Sequence, residues 1–152
     1  MEIKSILVAV DGSENSNKAL DFAVALSEKF GASLKVLNVS EALTMGTVSI
    51  EQTASLGAGA SVPVISKDFR QIHDQILSKA VDRAKKVSSA VAVSSMLREG
   101  DPALEIVSVA KEGGFDVVVV GHRGMGKVQE FFVGGVAEKV AHLAPCPVVI
   151  VR

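Results

Sequence analysis

Residues 121–127 read Gly121-His122-Arg123-Gly124-Met125-Gly126-Lys127, and Gly134-Gly135 follow a short way on. Five glycines within fifteen positions would be costly in any regular element, because glycine loses the most backbone freedom on folding. They suit a backbone that must approach another group closely. A phosphate chain held by main-chain amides is the leading candidate. The stretch comes straight after Asp116-Val117-Val118-Val119-Val120, an apolar run that reads as a buried strand.

Two phosphate chemistries compete for these residues. Gly121 to Lys127 match the first seven positions of a Walker loop, G-x-x-x-x-G-K-[ST], but Val128 at the eighth has no hydroxyl for a magnesium ion. Such a loop normally follows the first strand and is served by a later acidic one; here a single strand remains, and it carries no acid. The other reading is a spaced set, G-x2-G-x9-G, made by Gly121, Gly124 and Gly134 and feeding the last helix. It puts Gly135 at that helix's N-cap and Glu138 at N3, half of a capping box. Amides at that start, helped by the helix dipole, would face the turn after strand four with phosphates between them.

The elements needed to hold that turn are visible as alternating patterns. Apolar runs at Ile6–Val10, 33–39, 91–97, Asp116–Val120 and Val148–Val151 predict five strands of a parallel sheet covered on both faces. Helical patterns fill the gaps. The first has Ala19, Ala23, Leu26 and Phe30 as its stripe, widened by Leu20 and Phe22. A longer second runs from Phe69 to Val87. The third opens on Asp101-Pro102, a cap followed by proline at the first helical position, and stops at Gly113-Gly114. The fourth carries Val136, Val140 and Leu143 and ends at Pro145. Several strand orders fit a doubly wound α/β sheet of this kind. In each, ligands sit beyond the carboxyl ends of the strands where the winding reverses. With order 3-2-1-4-5 that point lies between strands one and four, so Asp11-Gly12-Ser13 and the glycine-rich stretch share one crevice. A long variable loop at about residues 40–66, rich in Ser, Ala, Gly and Thr, interrupts the pattern and leaves the ligand side of the sheet. It reads equally as a lid, a partner-binding arm or a plain insertion.

Composition narrows the function. The 152 residues, 48% apolar, fit one domain over 1–152, long enough to bury roughly 68–70% of the unfolded surface. Sixteen basic and seventeen acidic residues give a net charge of −1, against a nucleic-acid binder. Lys79, Arg83, Lys85 and Lys86 fit the wet side of one helix. With Cys146 alone, neither an intrachain disulfide nor a cysteine-pair metal site is expected, and His73, His122 and His142 lack ligand spacing. No charged-then-apolar leader opens the sequence and no apolar run approaches ~18 residues, so a cytoplasmic protein without a membrane partner is expected.

Taken together, Ile6-Leu7-Val8-Ala9-Val10-Asp11-Gly12-Ser13, Gly100-Asp101-Pro102, Asp116–Gly121 and Ala144-Pro145-Cys146-Pro147-Val148-Val149-Ile150-Val151 resemble the universal stress protein family over nearly the whole chain. The resemblance implies an adenine nucleotide alpha-hydrolase-like fold: a single five-stranded parallel sheet, order 3-2-1-4-5, with helices on both faces. It also implies a homodimer paired through Val148–Val151, an apolar edge that otherwise invites uncontrolled pairing. The family's ATP-binding branch carries G-x2-G-x9-G-[ST]. Carried over, Asp11 and the backbone of Val39 would hold the adenosine part, with Ala9 lining the same site. Val120 and Gly121 would line the ribose side. Gly124, Gly134, Gly135 and Val136 would take the phosphates of ATP, ADP or AMP, with magnesium bound through them. Arg123 is retained as a phosphate ligand. The chain departs from the pattern at Gly135, where a Ser or Thr hydroxyl is the rule.

Plainer roles stand beside these. Asp11 could be only a turn residue bonding its own backbone, though the binding role is the one preferred. Gly124 and Gly126 could serve loop geometry alone, Arg123 and Lys127 could be solvated cations, and Met125 loop cover. No nucleophile or carboxylate is set beside His122 by sequence, so it is not read as a general base. Cys146 between two prolines reads as a small hydrophobe. The expected function is a nucleotide-binding regulatory module without efficient turnover, since phosphoryl transfer needs placed cations and a water-orienting residue. The alternatives are a nucleotide-free dimeric, chaperone-like stress protein, favoured by Gly135, and a slow ATPase using Arg123 or Lys127.

Overall fold

The computed structural model describes residues 1–41, 62–124 and 133–152, with backbone alone over 62–69. The sheet is parallel throughout, in the order β3-β2-β1-β4-β5. Its strands are β1 (Ser5–Ala9), β2 (Ser33–Ser40), β3 (Val93–Glu99), β4 (Val117–Gly121) and β5 (Val148–Val151). The helices are α1 (Glu14–Phe30), α2 (Val62–Val87), α3 (Pro102–Gly113) and α4 (Gly135–Leu143). This is the doubly wound α/β architecture expected from the alternating pattern.

Period-two alternation along the central strands divides the core into two halves. Ile6, Val8 and Val10 of the β1 run, Leu34 and Val36 of β2, and Val117 and Val119 of β4 face α1 and α2. Leu7, Leu37, Val118 and Val120 face α3 and α4, where Ala103, Ile106, Val109, Ala110, Ala137 and Val140 cover them. The winding therefore reverses between β1 and β4, and a crevice opens above their carboxyl ends.

Several boundaries differ from the sequence reading. β3 starts two residues later than the apolar run suggested, because its register is set by pairing Leu34 with Val93. As an edge strand it tolerates the exposed Ser94 and Ser95. Asp116 precedes β4 rather than joining it. Its Oδ2 accepts from the amides of Lys4 and Ser5, both at 2.9 Å, and from Ser5 Oγ at 3.1 Å, binding the starts of β1 and β4 together. Those donors hold its carboxyl below the usual carboxylate range. On α1 the buried face is Ser16, Ala19, Leu20, Ala23, Val24 and Ser27, whereas Phe22 and Phe30 are exposed. The face turned to the sheet carries Ala, Ser, Leu and Val, and both rings lie off it.

α3 is capped as its sequence predicts. Asp101 Oδ1 accepts from Leu104 N–H at 2.9 Å, Pro102 begins the helix, and Gly114 closes it in the left-handed conformation at φ 59°. Lys79, Arg83, Lys85 and Lys86 are exposed along α2, with Arg83 paired to Asp21 of α1 at 2.7 Å. Of the expected loop at about 40–66, Ser40 belongs to β2 and residues from Val62 onward to α2. The rest, from 42 to 61, lies outside the described residues, as do Met125, Gly126, Lys127 and Val128. Among the described residues, no helix is long and apolar enough to cross a membrane.

Candidate functional site

The first lip of the crevice is the turn from β1 into α1. Gly12 sits at φ 84°, a conformation that disfavours a side chain, and this lets the chain double back onto the helix. Asp11 Oδ1 accepts from Ser13 N–H at 2.9 Å, the local bond expected of a turn aspartate. Ser13 is the N-cap, accepting from Ser16 N–H at 3.1 Å. Ser16 Oγ in turn donates to Ser13 C=O at 3.0 Å and accepts from Asp11 N–H at 3.3 Å. The second carboxylate oxygen of Asp11 faces the opposite lip: a Cβ on Gly124 would lie 2.8 Å from it. Asp11 therefore holds its own turn with one oxygen and addresses the glycine turn with the other.

The second lip runs from β4 into α4, and its glycines do different jobs. A Cβ at Gly121 would come within 2.9 Å of the backbone of Asn15, so this position seats the end of β4 against the first turn of α1. Gly134 donates its amide to His122 C=O at 2.6 Å, and a Cβ there would meet that same oxygen at 3.0 Å. Among the described residues nothing lies within 4 Å of the Cβ position of Gly135. The helix begins one residue earlier than expected: Gly134, not Gly135, is the N-cap, and Glu138 falls at N4. No capping box forms, because Glu138 N–H bonds Gly134 C=O at 3.0 Å as the first closed turn. The amides of Gly135, Val136 and Ala137 are left without an intrahelical partner, as at any helix start. Here the cap residue has no side chain to offer them.

Between the lips lies a cavity of about 660 Å³, within the range of small-molecule sites. Ala9, Asp11, Val39, Val120, Gly121, Arg123, Gly124, Gly134, Gly135 and Val136 all line it. Pro102 and Ile106 of α3 add to one side, Ile72, His73 and Ile76 of α2 to the other. The α2 wall is fixed by a residue not singled out from the sequence. Asn38, 1% exposed, donates Nδ2 to Val10 C=O at 2.7 Å. Its Oδ1 is thereby turned to His73, 2.5 Å from Nδ1, so Nδ1 carries the hydrogen. One sequence signal did exist, a lone amide within the apolar run of β2. For His73 there was none, since its partner Asn38 lies 35 residues away in sequence.

His122 is half-buried and its pKa lies below the usual imidazole value, first through burial, then through Arg123, Arg152 and Lys18. Burial also pushes the Cys146 thiol up, with Asp116 adding to the effect, so it is not an activated nucleophile. Among the described residues no group of three or more His, Cys, Asp or Glu side chains could hold a metal ion.

The universal stress protein family model matches residues 2–152. The chain belongs to the universal stress protein family. "Universal stress protein YxiE" of Bacillus subtilis is 37% identical over 152 residues, covering 97% of each chain. Among solved structures, a universal stress protein in complex with cAMP superposes with a TM-score of 0.69 at 24% identity, covering 100% of this chain and 98% of its own. The universal stress protein from Archaeoglobus fulgidus in complex with dAMP gives 0.66 at 23% identity, with full coverage of both chains. These two likenesses establish the fold, and each nucleotide belongs to the protein it was found with. Within this universal stress protein, the departure at Gly135 now has a physical description: it is an N1 position with none of the described residues within 4 Å of its Cβ position.

Proposed function

We propose that this chain is an adenine-nucleotide-binding regulatory module of the cytoplasm, acting as a dimer. The reading is supported above all by the contrast across one cavity: Asp11 presents a carboxylate oxygen, and the start of α4 presents amides with no cap. A carboxylate accepts from the amino and hydroxyl groups of a nucleoside, while a helix start attracts its phosphates. The backbone of Val39 and the side chain of Ala9 lie toward the adenosine end. Val120 and Gly121 lie by the ribose, and Gly124, Gly134, Gly135 and Val136 by the phosphates, with Arg123 as their cation. Magnesium enters through the phosphates, where ATP or ADP is the ligand. β5 pairs with its counterpart in a second copy, since Val148–Val151 is an edge strand of four apolar residues. Among the described residues lining the cavity Arg123 is the one cation, so efficient hydrolysis is not part of the proposal.

A nucleotide-free dimeric stress protein is the second reading, favoured by the missing hydroxyl at Gly135. The two are separated by denaturing the purified protein and analysing the released small molecules by mass spectrometry, with calorimetry of AMP, ADP and ATP alongside. The regulatory module releases an adenine nucleotide or binds one. No released nucleotide, and no heat with any of the three at millimolar concentration, would leave the second reading.

A further inference from the structure

The carboxylate of Asp11 is only as well placed as the residue before it, and that residue is held by a buried side chain. Val10 donates its N–H to Leu37 C=O at 2.8 Å. Its own C=O accepts from Asn38 Nδ2 at 2.7 Å. Asn38 Oδ1 accepts from His73 Nδ1 of α2, 2.5 Å away. Three residues along that helix, Ile76 lies against the turn after β1: a Cβ on Gly12 would sit 3.4 Å from its Cγ1. α2 thus meets the Asp11 turn twice, once by packing and once through the Asn38 amide.

Packing alone does not explain Asn38. It is buried between Leu37 and Val39 on β2, where an apolar side chain would need no partners. An amide there is costly unless both its ends are bonded, as they are. A satisfied polar pair inside a core fixes one arrangement of the elements that it joins. Here it joins the ends of β1 and β2 to α2, and Val10, Asp11, Asn38, Val39 and His73 all line the cavity.

We propose that Asn38 and His73 form one positioning pair for the end of the cavity that takes the nucleobase. Asn38 fixes Asp11 through Val10 and, through His73, sets how closely α2 approaches Val39. The inference rests on the adenine-nucleotide reading and names what tunes its base end. The pair acts on the ligand through Asp11 and Val39. The phosphate end, at the start of α4, is outside its reach.

The test compares adenosine with AMP, by NMR titration of the full chain, in His73→Ala, Asn38→Ala and the double variant. His73 is half-buried on the helix, so His73→Ala should retain the fold. Asn38→Ser takes the place of Asn38→Ala should the latter not fold. Each single change should weaken adenosine and AMP alike, by about five- to ten-fold. The double variant should bind no more weakly than the weaker single, since the two residues act as a unit. Unchanged adenosine binding by His73→Ala would overturn the proposal. So would losses that multiply in the double variant. A loss for AMP well beyond that for adenosine would overturn it too, because the whole site would then be disturbed. If the wild-type chain binds neither ligand, the proposed function fails and this inference falls with it. If it binds both and the variants match it, the function stands and the positioning pair alone is refuted.

Discussion

Two helices start at the same crevice, and they are finished differently. At α1 the chain satisfies itself: Ser13 caps the helix, Ser16 bonds back to the turn, and Asp11 closes the loop between them. At α4 the cap is Gly134, whose amide donates to His122 C=O, and the next residue is another glycine. Glycine in place of serine at a cap costs only about a few tenths of a kcal/mol. In return, the first amides of α4 meet no capping side chain from Gly134. A helix start that is to hold an anion must leave its amides unmet by its own chain, whereas one that only seats a strand need not.

This contrast can be broken at several points. The largest effect is expected where the two starts are held together. Gly121→Val would drive side-chain atoms into the backbone of Asn15 and destabilise the fold by about 1–3 kcal/mol, read from the urea midpoint. An unchanged midpoint would mean that the close seat is not what fixes the lips. Next come the caps themselves. Ser13→Ala should cost about 1 kcal/mol of stability and leave nucleotide affinity unchanged. Gly134→Ala, whose methyl would crowd His122 C=O, should lower affinity more than stability. If both variants lose affinity equally in calorimetry, the two starts are not distinct in function.

Smaller still is Gly135→Ser. With none of the described residues within 4 Å of the Cβ position of Gly135, a stability change within about 0.5 kcal/mol is expected. The new hydroxyl should tighten ATP more than AMP, by up to about ten-fold. Equal gains for both ligands would argue that position 135 does not face the outer phosphates. The mildest probe uses acid. Asp101, the cap of α3, has its pKa lowered chiefly by the Leu104 amide. Its contribution is therefore complete above the unfolded value of about 4 and fades as pH falls through the folded one. Amide exchange at Leu104 should accelerate over that window, while Ser16 at the start of α1, capped by a hydroxyl that does not titrate, stays protected.

What could be read from residues alone follows from how each feature is encoded. The central strands were legible because β1 and β4 are buried on both faces and leave unbroken apolar runs. The turns were legible because glycine at Gly12, Gly121 and Gly134 answers a local steric demand. The edge strand β3 was misplaced because half-exposed positions accept Ser94 and Ser95, so polarity no longer marks the boundary. The α1 stripe differs in part because apolar bulk suggested Phe22 and Phe30, while the buried face includes Ser16 and Ser27, whose polarity hides them from an apolar pattern. Glu138 suggested a capping box one residue out of place, since Gly134 and Gly135 are interchangeable on paper and only backbone geometry ranks them. Asn38 and His73 meet across elements far apart in sequence, and no local pattern announces such a meeting.

Asp116 lies at the far end of β4 from the glycine turn, where its carboxylate holds the first amides of β1. Like the rivet of a pair of tongs, it stops the two central strands from slipping past one another. A slip of β4 along β1 would have to break the bonds to Lys4 and Ser5, so the two lips at the other end of the strands keep one register.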